Sequence, residues 1–363
     1  MSKLHYIIPI FVPHEGCPHD CVFCNQNSIT GTSTKVDAKY VETTVNEYLK
    51  TINNENAIIE VSFFGGTFTA IKIEKQIELL TVAKKFKNEN KIKFIRLSTR
   101  PDYINNSILS NLKEYSVDII ELGVQSLDEE VLLKSGRGHT ALDVEKASKL
   151  IKSYGFILGH QIMIGLPGDD IHKDIDTAKR VIALKPDICR IYPALIIKDT
   201  HMEDMYMEKT FKPYSLSEAV KISKVIYIMM IANQINVIRI GLQPTEEISE
   251  GNELIAGPFH PAFRELVEGS LYNDVLYDVI INNFYSNITQ NKIVVKINPK
   301  DISKLYANGK SFFYDIKKQI SAMSIEVLQD KTVQRGSICV SAGEKCIIMT
   351  INEYASRKYK EGF

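Results

Sequence analysis

"IKFIRLSTRPDYINNSILSNLKEYSVDIIELGVQS", residues 92–126, is the stretch that decides the fold. Its ends, 92–101 and 117–126, are short, β-branched and bounded by Pro or Ser, which predicts strands. Between them, over about 103–114, apolar residues recur with the 3.6-residue period of a helix. A strand, a helix and a second strand at this spacing form a βαβ unit, with parallel pairing and a right-handed crossover.

The same alternation extends in both directions. Strands are predicted over 4–13, 57–66, 156–167 and 187–197, and helices over about 37–51, 73–87, 128–153 and 170–184. Six such units reach about residue 200, too few for the eight of a closed barrel. The expected fold class is therefore α/β, a partial (βα)6 TIM-like barrel whose apolar strands are buried on both faces. Reactive groups of such a barrel gather at the C-terminal ends of its strands. After residue 200 the pattern changes to a helix over about 215–234, a strand over 237–243 and a mostly helical stretch to about 289. From 291 onward a small α+β domain is expected, with "KIVVKINPKD", a helical stretch, "MSIEVLQD" and "KCIIMTINEY". The expected domains are thus 1–243 (barrel), 244–288 (helical extension) and 289–363 (small basic α+β domain).

The chain has 363 residues, of which 44% are hydrophobic, ample for a buried core. Lys+Arg and Asp+Glu stand at 44 each, so the global charge points to no nucleic-acid, membrane or acidic partner. Residues 290–363 differ, with 13 Lys/Arg against 7 Asp/Glu, a local excess of 6. No charged-then-apolar leader opens the chain, and no apolar run approaches the roughly 20 residues of a bilayer span. A cytoplasmic protein with no membrane partner is expected. Six cysteines are too sparse for a disulfide scaffold. Cys189, Cys339 and Cys346 stand apart and are expected to act as small buried hydrophobes.

The other three cysteines lie in "EGCPHDCVFCNQNS", residues 15–28, in the loop after the first strand. Cys17, Cys21 and Cys24 have the spacing C-x3-C-x2-C. Thiolates this close can reach three irons of a [4Fe-4S] cluster and leave the fourth without a protein ligand. They can equally hold zinc, with His14 or His19 as the fourth ligand, or remain inert thiols. A ligand loop at the reactive rim of a parallel barrel favours the open site.

These features together resemble the radical S-adenosylmethionine (SAM) enzymes. The resemblance implies a [4Fe-4S] cluster on Cys17, Cys21 and Cys24, with SAM bound through its amino and carboxylate groups to the open iron. It also implies that an electron from the cluster, supplied by a reducing donor such as ferredoxin or flavodoxin, cleaves SAM to a 5'-deoxyadenosyl radical that abstracts a substrate hydrogen. The strand ends then acquire expected roles around the cofactor. Phe23 precedes the last cysteine, and Gly65, Gly66 and Thr67 in "FFGGTF" are matched to the methionine moiety. Ser98 in "LSTRPD" stands where related enzymes often carry a ribose-binding acid, which is a departure. Gln125 in "ELGVQS" is matched to the ribose, and Arg137 in "GRGHT" to the SAM carboxylate, onto which a guanidinium can fork. Gln161 and the backbone near Met163, in "HQIMIGLPG", are matched to ribose and adenine.

Longer motifs look like one branch, the Elp3-like group named for the catalytic subunit of Elongator. They are "GGTF", "TRPDY", "ELGVQS", "RGHT", "YPALIIKDTHMEDMY" and "YSLSEAV", across about residues 5–225. Elongator subunits have a longer gap between the first two cluster cysteines and an acetyl-CoA loop whose nearest counterpart here, "QRGSI" at 334–338, has the wrong spacing. The expectation is therefore a stand-alone bacterial radical SAM protein without the acetyltransferase domain. Kinship with a tRNA-modifying enzyme and the basic C-terminal stretch point to a tRNA or other RNA substrate. A small-molecule or porphyrin-related substrate is the alternative within the class, on a strand pattern shared with oxygen-independent coproporphyrinogen oxidases, from which Ser98 and Gln161 depart. Outside the class the alternative is a zinc-stabilised nucleic-acid-binding module without radical chemistry. Tyr192, His201 and Tyr206, around the end of the last barrel strand, are candidates to meet substrate.

Overall fold

Six β-branched segments pair side by side as parallel strands: β1 (His5–Phe11), β2 (Ile58–Phe64), β3 (Phe94–Thr99), β4 (Ile119–Gln125), β5 (Ile157–Ile164) and β6 (Ile188–Pro193), in that order. They belong to a computed structural model that describes residues 5–12, 19–25, 36–242, 253–284, 292–320 and 324–362. Between the strands run α1 (Ala38–Thr51), α2 (Ile73–Asn88), α3 (Asn106–Glu114), α4 (Glu129–Lys134), α5 (Ala141–Ser153) and α6 (Ile171–Ala183). The stretch 92–126 is β3, α3 and β4, and the expected partial (βα)6 barrel forms. On the strand face towards the helices Val61, Phe63, Ile95, Leu97, Ile120 and Leu122 are each 0% exposed. Each such burial contributes about 1.5–3 kcal/mol relative to an exposed side chain.

One expected helix, 128–153, is in fact two, α4 and α5. Gly136 and Gly138 lie between them with φ of 62° and 71°, which no helix accommodates. Thr140 then restarts the helix through a reciprocal capping box with Asp143. Past β6, Ile196–Ile197 pairs antiparallel with Leu254–Ala256, and a short helix covers His201–Met207.

The chain divides into two compact units, Met1–Tyr214 with Gln243–Pro258, and Ser215–Leu242 with Phe259–Phe363. This differs from the expected division at 243 and 288, and the core of the second unit explains why. Ile228 of helix Leu216–Ala232, Leu271, Val275 and Val279 of helix Phe263–Asn283, and Ile293, Val295, Ile338 and Val340 of a small sheet share one apolar cluster. That sheet has the order Ser324–Gln329, Lys292–Ile297, Ser337–Ala342, Lys345–Thr350, with the first pair parallel and the others antiparallel. "KCIIMTINEY" is a strand only to Thr350, which caps helix Ile351–Glu361 through a box with Glu353.

Cys189 and Cys339 are buried, but Cys346 is exposed. Pairing of Ser341 with Cys346 puts Cys339 and Cys346 on one face of the sheet, opposite Ile338 and Val340, with their Sγ atoms 3.0 Å apart. Among the described residues no helix is long and apolar enough to cross a membrane.

Candidate active site

Laterally paired residues of a parallel sheet point to the same side, so the register identifies the inner face of the barrel. Ser62 pairs with Arg96, Ser98 with Glu121, Gly123 and Arg190 both with Gln161, and Met163 with Tyr192. Exposure then divides this face into two tiers. Towards the C-terminal ends Phe64, Ser98, Gly123, Gln161, Met163 and Tyr192 are half-buried, although the residues beside them along each strand are mostly buried. Ser98, Gln161 and Met163, singled out from the sequence, therefore lie on the open, inward tier.

The lower tier is charged and buried. Glu60, Arg96, Glu121 and Arg190 are each 7% exposed or less. Arg96 donates from Nη2 to Glu60 Oε2 (3.1 Å) and from Nη1 to Glu121 Oε1 (3.1 Å), and Arg190 Nε donates to the same Glu121 oxygen (2.9 Å). Ser62 Oγ donates to Glu60 Oε1 at 2.9 Å, and His5 Nε2 is 3.0 Å from Glu60 Oε2. At the other end Arg190 Nη1 donates to Tyr192 Oη (3.3 Å), and its guanidinium lies over the Phe64 ring, 5.6 Å from the centroid. Alternating signs offset the desolvation that any one of these ions would suffer alone. No motif assigns any of the four a role, since each lies inside a strand legible only by its apolar pattern. The available signal was a single charge inside each apolar strand, in "IIEVS", "FIRLS", "IIELG" and "ICRIY".

Above the open tier sits the cysteine loop. Cys17 lies outside the described residues; Cys21 and Cys24 form one turn, in which Cys24 N donates to Cys21 O at 2.9 Å. The turn is fixed from two sides, because Val22 N donates to Ser135 O (3.1 Å) and Val22 O accepts from Met202 N (2.8 Å). Asn25 Nδ2 reaches Lys198 O at 2.8 Å, and His201 Nε2 is 3.1 Å from Asp20 Oδ2. Phe23, Met163 and Tyr206 pack on one apolar cluster with Val131, Leu166 and Met202.

The segment after α4 closes over this turn. Arg137 Nη1 donates to Cys21 Sγ (3.2 Å) and Nη2 to Gly123 O (2.7 Å), with the guanidinium 5.9 Å from the Phe23 centroid. Arg100 Nη2 donates to the Arg137 carbonyl, and Arg100 also forks onto Asp102 through Nε and Nη2, at 3.0 Å each. The left-handed backbone at Gly136 and Gly138 is what allows the approach: a Cβ at Gly136 would lie 3.1 Å from Asp20 O. Burial, with Arg137 and Arg100 close by, pushes His139 down to about 3, so its imidazole is neutral at physiological pH.

Gln125 ends β4 with φ of 63°, beyond a register slip between Gly123 and Gln125. A non-glycine residue in this region costs roughly 1–3 kcal/mol of backbone strain. Its Oε1, like Arg137 Nε, is buried without a hydrogen-bond partner. At the end of β2, Gly65 has φ of 101°, Gly65 and Gly66 are half-buried, and Thr67 is buried. Thr69 Oγ1 meets Thr99 Oγ1 at 2.5 Å, tying this end to that of β3.

Two family models match the chain: the radical SAM superfamily over residues 11–181 and a radical SAM C-terminal domain over 186–273. The tRNA uridine(34) acetyltransferase of Methanocaldococcus jannaschii is 29% identical over 255 residues, 60% of this chain and 47% of the relative. Elongator complex protein 3 of Homo sapiens is 29% identical over 196 residues, 48% of this chain and 36% of the relative. The chain thus spans about half the length, or less, of these curated relatives. The structure of the archaeal Methanocaldococcus infernus Elp3 superposes with a TM-score of 0.61 at 22% identity, covering 76% of this chain and 64% of that one, a likeness of fold.

Proposed function

This chain belongs to the radical SAM superfamily and is an enzyme of it, and from that premise we propose that Cys17, Cys21 and Cys24 hold a [4Fe-4S] cluster at the rim of the barrel, with SAM beside it. The observation that carries this is the Cys21–Cys24 turn, held through Val22 by Ser135 and Met202 and contacted by Arg137, which also reaches Gly123 of the open tier. The donor set fits the group, since soft thiols are what cluster irons prefer. Gln125 Oε1 and Arg137 Nε, both buried without a partner, are polar atoms that the protein itself leaves unsatisfied.

A cluster held there by Cys17, Cys21 and Cys24 would supply the one-electron reduction of SAM on which hydrogen abstraction from substrate depends. The chain's own residues do the rest. Gly65, Gly66 and Thr67 offer backbone to the methionine end of SAM, Ser98, Gln125 and Gln161 face the ribose, and Phe23 and Met163 keep water from the adenine side. Tyr192, half-buried on the inner face, is placed to meet substrate. We assign the substrate to tRNA, on similarity to proteins named as tRNA uridine(34) acetyltransferases and on the basic excess after residue 290. A low-potential donor such as ferredoxin or flavodoxin supplies the electron, in the reducing cytoplasm.

The test is anaerobic reconstitution. Iron and sulfide should bind, dithionite should release 5'-deoxyadenosine from SAM, and Cys21→Ala and Cys24→Ala should lose both properties. Protein carrying one zinc and no iron would instead make the loop a structural metal site. For the substrate, tRNA binding should weaken steeply as salt rises, and its absence at low salt would remove RNA.

A further inference from the structure

We infer that Arg137 is a positioning residue for the Cys21 thiolate: its guanidinium holds that sulfur by an N–H···S hydrogen bond and raises the reduction potential of the cluster. This rests on the proposal that the three cysteines hold such a cluster, and it gives Arg137 work to do before any SAM arrives.

Three observations lead there. The guanidinium is held on several sides, by Cys21 Sγ (3.2 Å), Gly123 O (2.7 Å) and the Phe23 face, while its own main-chain carbonyl is held by Arg100. Arg137 is only 6% exposed, yet among the described residues no carboxylate forms an ion pair with it, and the neighbouring Asp102 is taken by Arg100. The side-chain group that the guanidinium does engage by a hydrogen bond is the Cys21 sulfur. Finally, Nη1 and Nη2 are both engaged by the protein, and only Nε lacks a partner. A donor on a ligating sulfur withdraws electron density from the iron and stabilises the reduced, more negative cluster, so the potential rises.

The experiment uses the full chain, reconstituted without oxygen and measured without SAM. Arg137→Met should load iron and show a midpoint potential more negative than wild type in an EPR-monitored titration. Arg137→Lys, which keeps the charge but cannot bridge Cys21 and Gly123 together, should fall between the two. Should the variants fail to fold, wild type alone still decides: with 15N-labelled arginine, pulsed EPR of the reduced cluster should show a nitrogen hyperfine coupling in the absence of SAM. No such coupling, or an unchanged SAM-free potential in iron-loaded Arg137→Met with only SAM affinity weakened, overturns the inference and leaves the cluster proposal standing. A chain that binds no iron at all fails at the earlier step.

Discussion

His19 lies directly against Gly138, so close that a Cβ on Gly138 would be 2.2 Å from the imidazole ring. The contact joins the cysteine loop to the segment carrying Arg137. Gly138→Ala should therefore act twice. It strains a backbone held at φ of 71° and displaces the ring from its 3.5 Å approach to Asp102. A loss of about 1–2 kcal/mol is expected from the backbone alone. Denaturant unfolding reads the first effect and iron retention after gel filtration the second; unchanged values for both would show that the contact is incidental.

Glu121 is shared by Arg96 and Arg190, but Arg96 has Glu60 as well. Glu121→Leu should thus strand Arg190 in the barrel floor and cost about 3–5 kcal/mol. Adding Arg190→Met removes the stranded charge, so the double variant should be more stable than Glu121→Leu alone. Two losses that simply add, measured by urea unfolding, would mean that the floor is not one coupled network.

Stability should also depend on a carboxyl pair near the end of β5. Burial raises Asp169 to about 6, and burial with the nearby Asp169 raises Asp174, whose Oδ2 accepts from Tyr214 Oη at 2.9 Å. Between about pH 4 and 6 the native state binds the extra proton, so this pair's contribution declines as pH rises through that window. Asp169→Asn should then be more stable than wild type above pH 6, by up to about 3 kcal/mol, and lose that advantage below pH 4. The histidines have the opposite sign. Burial holds His139 and His160 at about 3, so the unfolded chain gains protons first and stability falls as pH drops below about 6. Unfolding midpoints of wild type and Asp169→Asn from pH 3 to 8 separate the two effects.

The thiols of Cys339 and Cys346, 3.0 Å apart, predict a defined reaction with a small disulfide reagent. The exposed Cys346 should attack first and release one reagent thiolate; Cys339 should then displace the second and close a Cys339–Cys346 disulfide. Peptide mass mapping should find that bond in wild type and a stable mixed disulfide on Cys346 in Cys339→Ser. Mixed disulfides on both residues of wild type would show that the sulfurs do not meet.

How much of this was legible beforehand follows from how local each signal is. The βαβ units of 92–126 and their neighbours were readable because strand and helix periods are written within ten to fifteen residues. The C-x3-C-x2-C spacing was readable because one turn carries Cys21 and Cys24 together. The helix expected over 128–153 failed where two glycines take left-handed backbone, whose purpose is a contact with residues 19 and 20 that periodicity does not register. The domain division near residue 215 was hidden for a similar reason: Ile228 finds its apolar neighbours on strands more than sixty residues further on.

The sequence by itself determined the class of fold, the family resemblance and the three-cysteine spacing, all carried by short-range pattern. Only the tertiary structure decided what those residues touch. It brought Glu60, Arg96, Glu121 and Arg190 from four strands into one buried network, and set Arg137 on Cys21 across 116 residues of chain. Charges and donors so far apart in sequence are paired by the lateral register of a parallel sheet and by the two glycines that let its loops close, and neither acts over the range of a local motif.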